Sequence, residues 1–172
     1  PETLRVLQLA MGAPLPESYG RTAYHGVHTF VSIPPDGERW AYRYHWQPEA
    51  GVATLSTGEA LAPDYLATEL RARLASGPVA FDLWWHFPDP TDDLLDPTTP
   101  WPDDRPSVRI GRLELSGIVA DQDGGCEDVI FDPTRVVDGI ECSDDPILHA
   151  RSLAYGVSYN RRRAVGGPHH NG

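Results

Sequence analysis

Bulky apolar residues follow two rhythms along this chain. In "RWAYRYHWQ" (39–47) Trp40, Tyr42, Tyr44 and Trp46 alternate with Ala41, Arg43 and His45, which predicts a strand with four aromatics on one face. "VAFDLWWHF" repeats the period of two with Phe81, Leu83, Trp85 and Phe87. "YHGVHTFVSI" and "SVRIGRLELSGIV" predict two more strands, and "PPDG" (34–37) a turn after the first of them. The slower rhythm is helical. Leu4, Leu7 and Met11 predict a short amphipathic helix over residues 1–11, stopped by "GAPLPE". Leu66, Leu70 and Leu74 predict a second in "PDYLATELRARLASGP", with Asp64 as its cap and Gly77-Pro78 as its stop. Residues 88–106 form a Pro/Asp-rich loop, long enough to cover something or to be disordered. An Asp/Gly-rich turn, "DVIFDP" and a last helix follow, and 164–172 read as a flexible tail.

Four strands with apolar or aromatic faces and few helices to cover them predict an α+β fold. An open four-stranded sheet would leave two edges and much apolar area exposed, so the strands read as part of a barrel whose remainder lies elsewhere. The length of 172 residues suits one domain, with 1–163 as the structured part. A net charge of −11 argues against nucleic acid as a partner, since phosphate binding needs a basic surface. Every strong cation is an arginine, a residue suited to clamping carboxylates. No apolar run approaches a membrane span, and no signal peptide is recognisable. Cys126 and Cys142 lack metal-site spacing and read as thiols, with a single bridge left open. The opening "PETLRVLQLA" reads as the middle of a helix, as in a fragment or processed product. The compartment, cytoplasmic or periplasmic, is left open.

The chemistry concentrates in "DDPILHARSLAYGVSYNRR" (144–162). Asp at the cap and Pro at the first helical position make a strong helix start. Arg151 and Tyr155 are then four apart and share a face. A phenol is a poor iron ligand while protonated, and a neighbouring guanidinium favours its ionised form by Coulomb attraction. On that pair alone, a surface contact between arginine and ring is the commoner outcome.

Longer stretches bear on the choice. "RSLAY" after "SDD" resembles the proximal-tyrosine helix of the haem catalase superfamily, with its Arg-x-x-x-Tyr pattern. "GVHTF", "RYHWQPEAG", "DPTTPWP", "GRLELSG" and "EDVIFDPTRVVDGIECSDDPILHAR" resemble further family segments, so nearly all of residues 24–163 are covered. The short loops look closest to the small catalase-related peroxidases. The resemblance implies part of a catalase-type antiparallel β-barrel, about four strands, with a C-terminal haem-ligand helix. It implies haem b as cofactor and Tyr155 as axial iron ligand. Arg151 would bond the phenolate, and His28 and Asp145 would continue that relay behind it. Arg162 would pair with a haem propionate, and Phe131 would lie close to the haem.

Two departures matter. Asp103 follows "WP" where NADPH-binding catalases tend to carry His, so tightly bound NADPH is not expected. The family's distal His and Asn, with another propionate-binding Arg, have no match upstream of "GVHTF". His25, His45, His86, His149, His169 and His170 do not sit in a distal motif, and His169-His170 reads as tail. The implied function is the haem-binding portion of a peroxidase reducing hydrogen peroxide or organic hydroperoxides. Its distal half would come from an upstream segment or a second chain, and a homo-oligomer is allowed. The alternatives are a catalase-fold hydroperoxide isomerase, a non-catalytic haem-binding or assembly subunit, and an acidic β-rich interaction domain without cofactor.

Overall fold

The computed structural model describes residues 14–56, 61–119 and 129–165. The expected helix over residues 1–11, the Asp/Gly-rich turn with Cys126, and His169-His170 lie outside the described residues. Among the described residues six strands are seen: β1 (Tyr24–His25), β2 (Phe30–Ser32), β3 (Trp40–Pro48), β4 (Val79–His86), β5 (Ser107–Leu115) and β6 (Ile140–Cys142). The helices are α1 (Tyr65–Ser76) and α2 (Pro146–Val165), preceded by a 3-10 turn at Tyr19–Arg21. The sheet runs β5-β4-β3-β2-β6, with β1 paired to β3 off that path. The three longest strands expected from the sequence are present as β3, β4 and β5.

The first expected strand divides in two. Gly26 donates its N–H to the Tyr44 carbonyl at 2.8 Å, but the chain leaves the ladder before β2 resumes it at Phe30. The interruption carries His28 inward, where it is buried. β6 was not expected: three residues are too few to show a period. It pairs antiparallel with β2, Phe30 facing Cys142 and Ser32 facing Ile140. The turn at 34–37 is as expected, closed by Gly37 N–H to the Pro34 carbonyl at 2.8 Å with Gly37 at φ 82°.

The chain divides into two compact units, and β3, β4 and β5 each pass from one to the other. One unit comprises Pro1–Tyr24, Trp46–Leu83 and Ile110–Ile118. It holds α1, whose Glu69 pairs with Arg73 at 2.6 Å and receives the hydroxyl of the fully buried Ser18. Asp64 stands at the α1 cap position without making a side-chain cap bond.

The other unit comprises His25–His45, Trp84–Arg109 and Val119–Gly172. Its core is Phe30, Tyr42 and Leu148, flanked by Tyr44, Trp85, Phe87, Ile140 and Cys142. Tyr42 stacks on Trp85 with ring centroids 3.9 Å apart. The 88–106 loop is ordered by its own aspartates. Asp89, Asp93 and Asp96 each accept the N–H two residues on, from Thr91, Leu95 and Thr98. These Asx turns supply locally the backbone bonds that a loop otherwise takes from water. α2 extends through Ala164 and Val165, the first two residues of the expected tail.

Candidate functional site

Asp145 builds the site from the start of α2. Its Oδ1 accepts the N–H groups of Ile147 at 2.7 Å and Leu148 at 3.3 Å, capping the helix, while Pro146 occupies the first turn. Leu148, fully buried against Phe30 and Tyr42, fixes the rotation of the helix on the sheet. Residues 148, 151, 152 and 155 then follow at helical spacing on one face.

On that face the relay is continuous. Asp145 Oδ2 lies 2.6 Å from His28 Nδ1, and Arg151 Nη1 lies 2.9 Å from His28 Nε2. Arg151 Nη2 donates to the Tyr155 hydroxyl at 2.8 Å. A guanidinium can only donate, so Nε2 of His28 accepts and Nδ1 carries the proton toward Asp145. Asp145 accepts three hydrogen bonds in all. Asp145 is 1% exposed and His28 5%, so water does not compete for these bonds. Among the described residues Arg151 is the one hydrogen-bond partner of the Tyr155 oxygen, and no acceptor holds the phenolic proton.

The other two expected residues stand nearby in the chain but outside the relay. Arg162, two turns beyond Tyr155, donates to the Val129 carbonyl at 2.8 Å and to the Ser158 hydroxyl at 3.0 Å. Phe131 is 61% exposed. Its segment is tied to α2 by Ser152, which donates to Asp132 at 2.7 Å. That bond, and next those from the Thr134 N–H and hydroxyl, hold the Asp132 carboxyl below its ordinary range. Sequence reasoning missed the Asp132–Ser152 tie. The available signal was "DPT", an Asx turn that leaves the second carboxylate oxygen free for a distant partner.

His25, His45 and His86 gather on β1, β3 and β4. His45 stacks on His25 at 5.4 Å between centroids and hydrogen-bonds His86. Burial, and then the neighbouring imidazoles, push His45 down; burial and then His25 push His86 down, with Asp103 opposing. No group of three or more His, Cys, Asp or Glu side chains among the described residues is arranged to hold a metal ion.

The fold is that of solved catalases. A bacterial catalase superposes with a TM-score of 0.80 over 94% of this chain and 34% of its own, at 24% identity. A fungal catalase gives 0.78 over 86% of this chain and 32% of its own, at 25% identity. The catalase family model matches residues 1–171, and the chain therefore belongs to the catalase family. It is 42% identical over 153 residues to a catalase-related peroxidase of Mycolicibacterium paratuberculosis, covering 88% of this chain and 49% of the relative. A catalase-related peroxidase of Synechococcus elongatus is 34% identical, covering 86% of this chain and 44% of its own length. The chain thus spans about half the length of these two relatives.

Proposed function

We propose that this chain is the proximal, haem-holding portion of a catalase-family peroxidase that reduces hydrogen peroxide or organic hydroperoxides, with Tyr155 as axial ligand of haem b. The observation that carries this is the environment of the Tyr155 oxygen: a charged donor at 2.8 Å and, among the described residues, no acceptor for its proton. Such an oxygen is suited to a hard, oxidised iron, and tyrosinate is an established axial ligand of haem iron in catalases. The donor set therefore fits the group. Bound there, haem would supply the redox-active iron at which peroxide reacts.

The remaining roles belong to side chains. Arg151 donates to the Tyr155 oxygen and orients the ring. His28 fixes Arg151 from behind, and Asp145 fixes the tautomer of His28. Arg162 offers a guanidinium suited to a propionate carboxylate, and Phe131 an exposed ring suited to an apolar macrocycle. The family's distal His and Asn are supplied by a segment outside this chain or by a second chain, and the complete assembly performs the proton transfers to peroxide.

Tyr155→Phe tests the reading. In the natural gene product loaded with haem, the variant is expected to lose the ferric phenolate absorption and its peroxidase turnover while keeping the urea midpoint of the parent. An unchanged ferric spectrum would refute Tyr155 as ligand. A variant that keeps full turnover would refute the role given to Tyr155, and a haem-loaded parent without peroxidase turnover would refute the function.

A further inference from the structure

Phe131 is 61% exposed, yet the segment that carries it is fastened to α2 on both sides of the ring. After it, Asp132 Oδ2 accepts the Ser152 hydroxyl at 2.7 Å. Before it, the Val129 carbonyl accepts Arg162 Nη2 at 2.8 Å, while Arg162 Nη1 donates to the Ser158 hydroxyl at 3.0 Å. The Ser158 bond sets that guanidinium one turn back along the helix, at the level of Ser158. Ser152, Tyr155 and Ser158 follow at intervals of three on one row of α2, with Tyr155 in the middle.

The two spans match. From 152 to 158 the helix rises about 9 Å. From 129 to 132 a near-extended chain covers about 10 Å. The 129–132 segment therefore runs along the row, antiparallel to α2, with Phe131 between the two ties. Beyond Asp132 the chain is fixed as well. Asp132 Oδ1 accepts the N–H and the hydroxyl of Thr134 at 2.9 and 2.8 Å, and its carbonyl accepts the Arg135 N–H at 3.2 Å. The Thr134 carbonyl accepts the Val136 N–H at 3.1 Å and the thiol of Cys142 on β6 at 3.8 Å. Asp132 thus gives one carboxylate oxygen to its own turn and the other to the helix. A single exposed ring on a loop is unremarkable in itself. Ordering the backbone around it costs entropy that an unpacked ring does not offset, so the bonds on either side point to a use for a fixed ring.

We propose that Ser152 is a positioning residue: by donating to Asp132 it clamps the 129–132 segment along α2 and holds the Phe131 ring beside Tyr155, as an apolar wall for the macrocycle. That the ring serves a macrocycle rests on the function proposed above; the clamp itself does not.

Two measurements test it. In the haem-free full chain labelled with 4-fluorophenylalanine, the Phe131 signal is assigned by its loss in Phe131→Leu. Ser152→Ala, which suits a helix interior, should narrow that signal and move it toward the value of the free amino acid. Ser152→Thr keeps the hydroxyl and should restore the parent signal. A Phe131 signal unmoved in Ser152→Ala, or moved equally in Ser152→Thr, overturns the clamp. Should Ser152→Ala not fold, Ser152→Cys replaces the hydroxyl by a weak donor at nearly constant size. The second measurement is the rate of haem loss from the haem-loaded natural gene product to an apo-globin acceptor. Phe131→Ala should speed it on the order of tenfold through lost apolar contact. Ser152→Ala should speed it too, and the double variant should be no faster than Phe131→Ala alone. Additive effects would show that Ser152 acts on haem other than through Phe131 and overturn the proposal. A parent that takes up no haem would fail the proposed function instead, and the fluorine signal would still decide the clamp.

Discussion

Arg151 serves two different atoms with its two terminal nitrogens, and neither could be replaced by a point charge. The planar fork reaches His28 Nε2 and the Tyr155 oxygen together, which an ammonium on a flexible stem does not reproduce. Asp145 is similarly double. One oxygen caps α2 and the other receives His28, so its loss strikes helix and relay together. Asp145→Ala is expected to cost about 2–4 kcal/mol, from a lost cap plus a buried donor left without its acceptor. Urea unfolding checks this. A loss below the worth of the cap alone would mean that His28 finds another partner.

At the scale of the element, the break between β1 and β2 is the device that delivers His28. It needs a close backbone approach at Gly26, where an added Cβ would stand 2.7 Å from Cε1 of Tyr44. Tyr44 packs against Phe30, 6.0 Å between centroids, so the ring cannot move away without disturbing the core. Gly26→Ala should therefore destabilise by about 1–3 kcal/mol through overpacking. In the same variant the His28–Arg151 bond should weaken, seen as faster exchange of the His28 ring proton. A thermal midpoint equal to that of the parent would show that the ring has room. The helix start at Asp145-Pro146 and the Arg-x-x-x-Tyr spacing were legible in the sequence because they are local. β6 was not, because its pairing with β2 comes from the chain's return to the sheet.

For the molecule as a whole, titration brackets the range of stability. Burial, followed by the proximity of Tyr44 and Cys142, pushes the Tyr42 phenol up to about 12. In the unfolded chain a phenol ionises near ~10, so the contribution of neutral Tyr42 is full below that pH. It is lost as pH rises toward about 12. On the acid side His45 and His86 are held below the ordinary imidazole value, so the unfolded chain takes up protons first. Their contribution is full above the ordinary imidazole value and falls as pH drops through the depressed ones. Urea midpoints measured against pH should decline on both flanks. Tyr42→Phe should flatten the alkaline flank alone; an alkaline decline as steep as the parent's would assign it to another group.

Period and spacing by themselves determined the aromatic strands, the capped last helix, and the placing of Arg151 beside Tyr155. Each follows from the two or three residues a side chain can reach within its own element. The wider family likeness was also legible, because it rests on runs of consecutive residues. Only the tertiary structure decided that Asp145, His28 and Arg151 form one unbroken line, with His28 and Arg151 123 positions apart. It also decided that Arg43, which alternation alone would turn away from the aromatic face, is buried under the 88–106 loop, donating to the backbone carbonyls of Asp93, Asp96 and Thr99. Such partnerships depend on strand register and on how a helix is rotated against its sheet, and no local pattern encodes either.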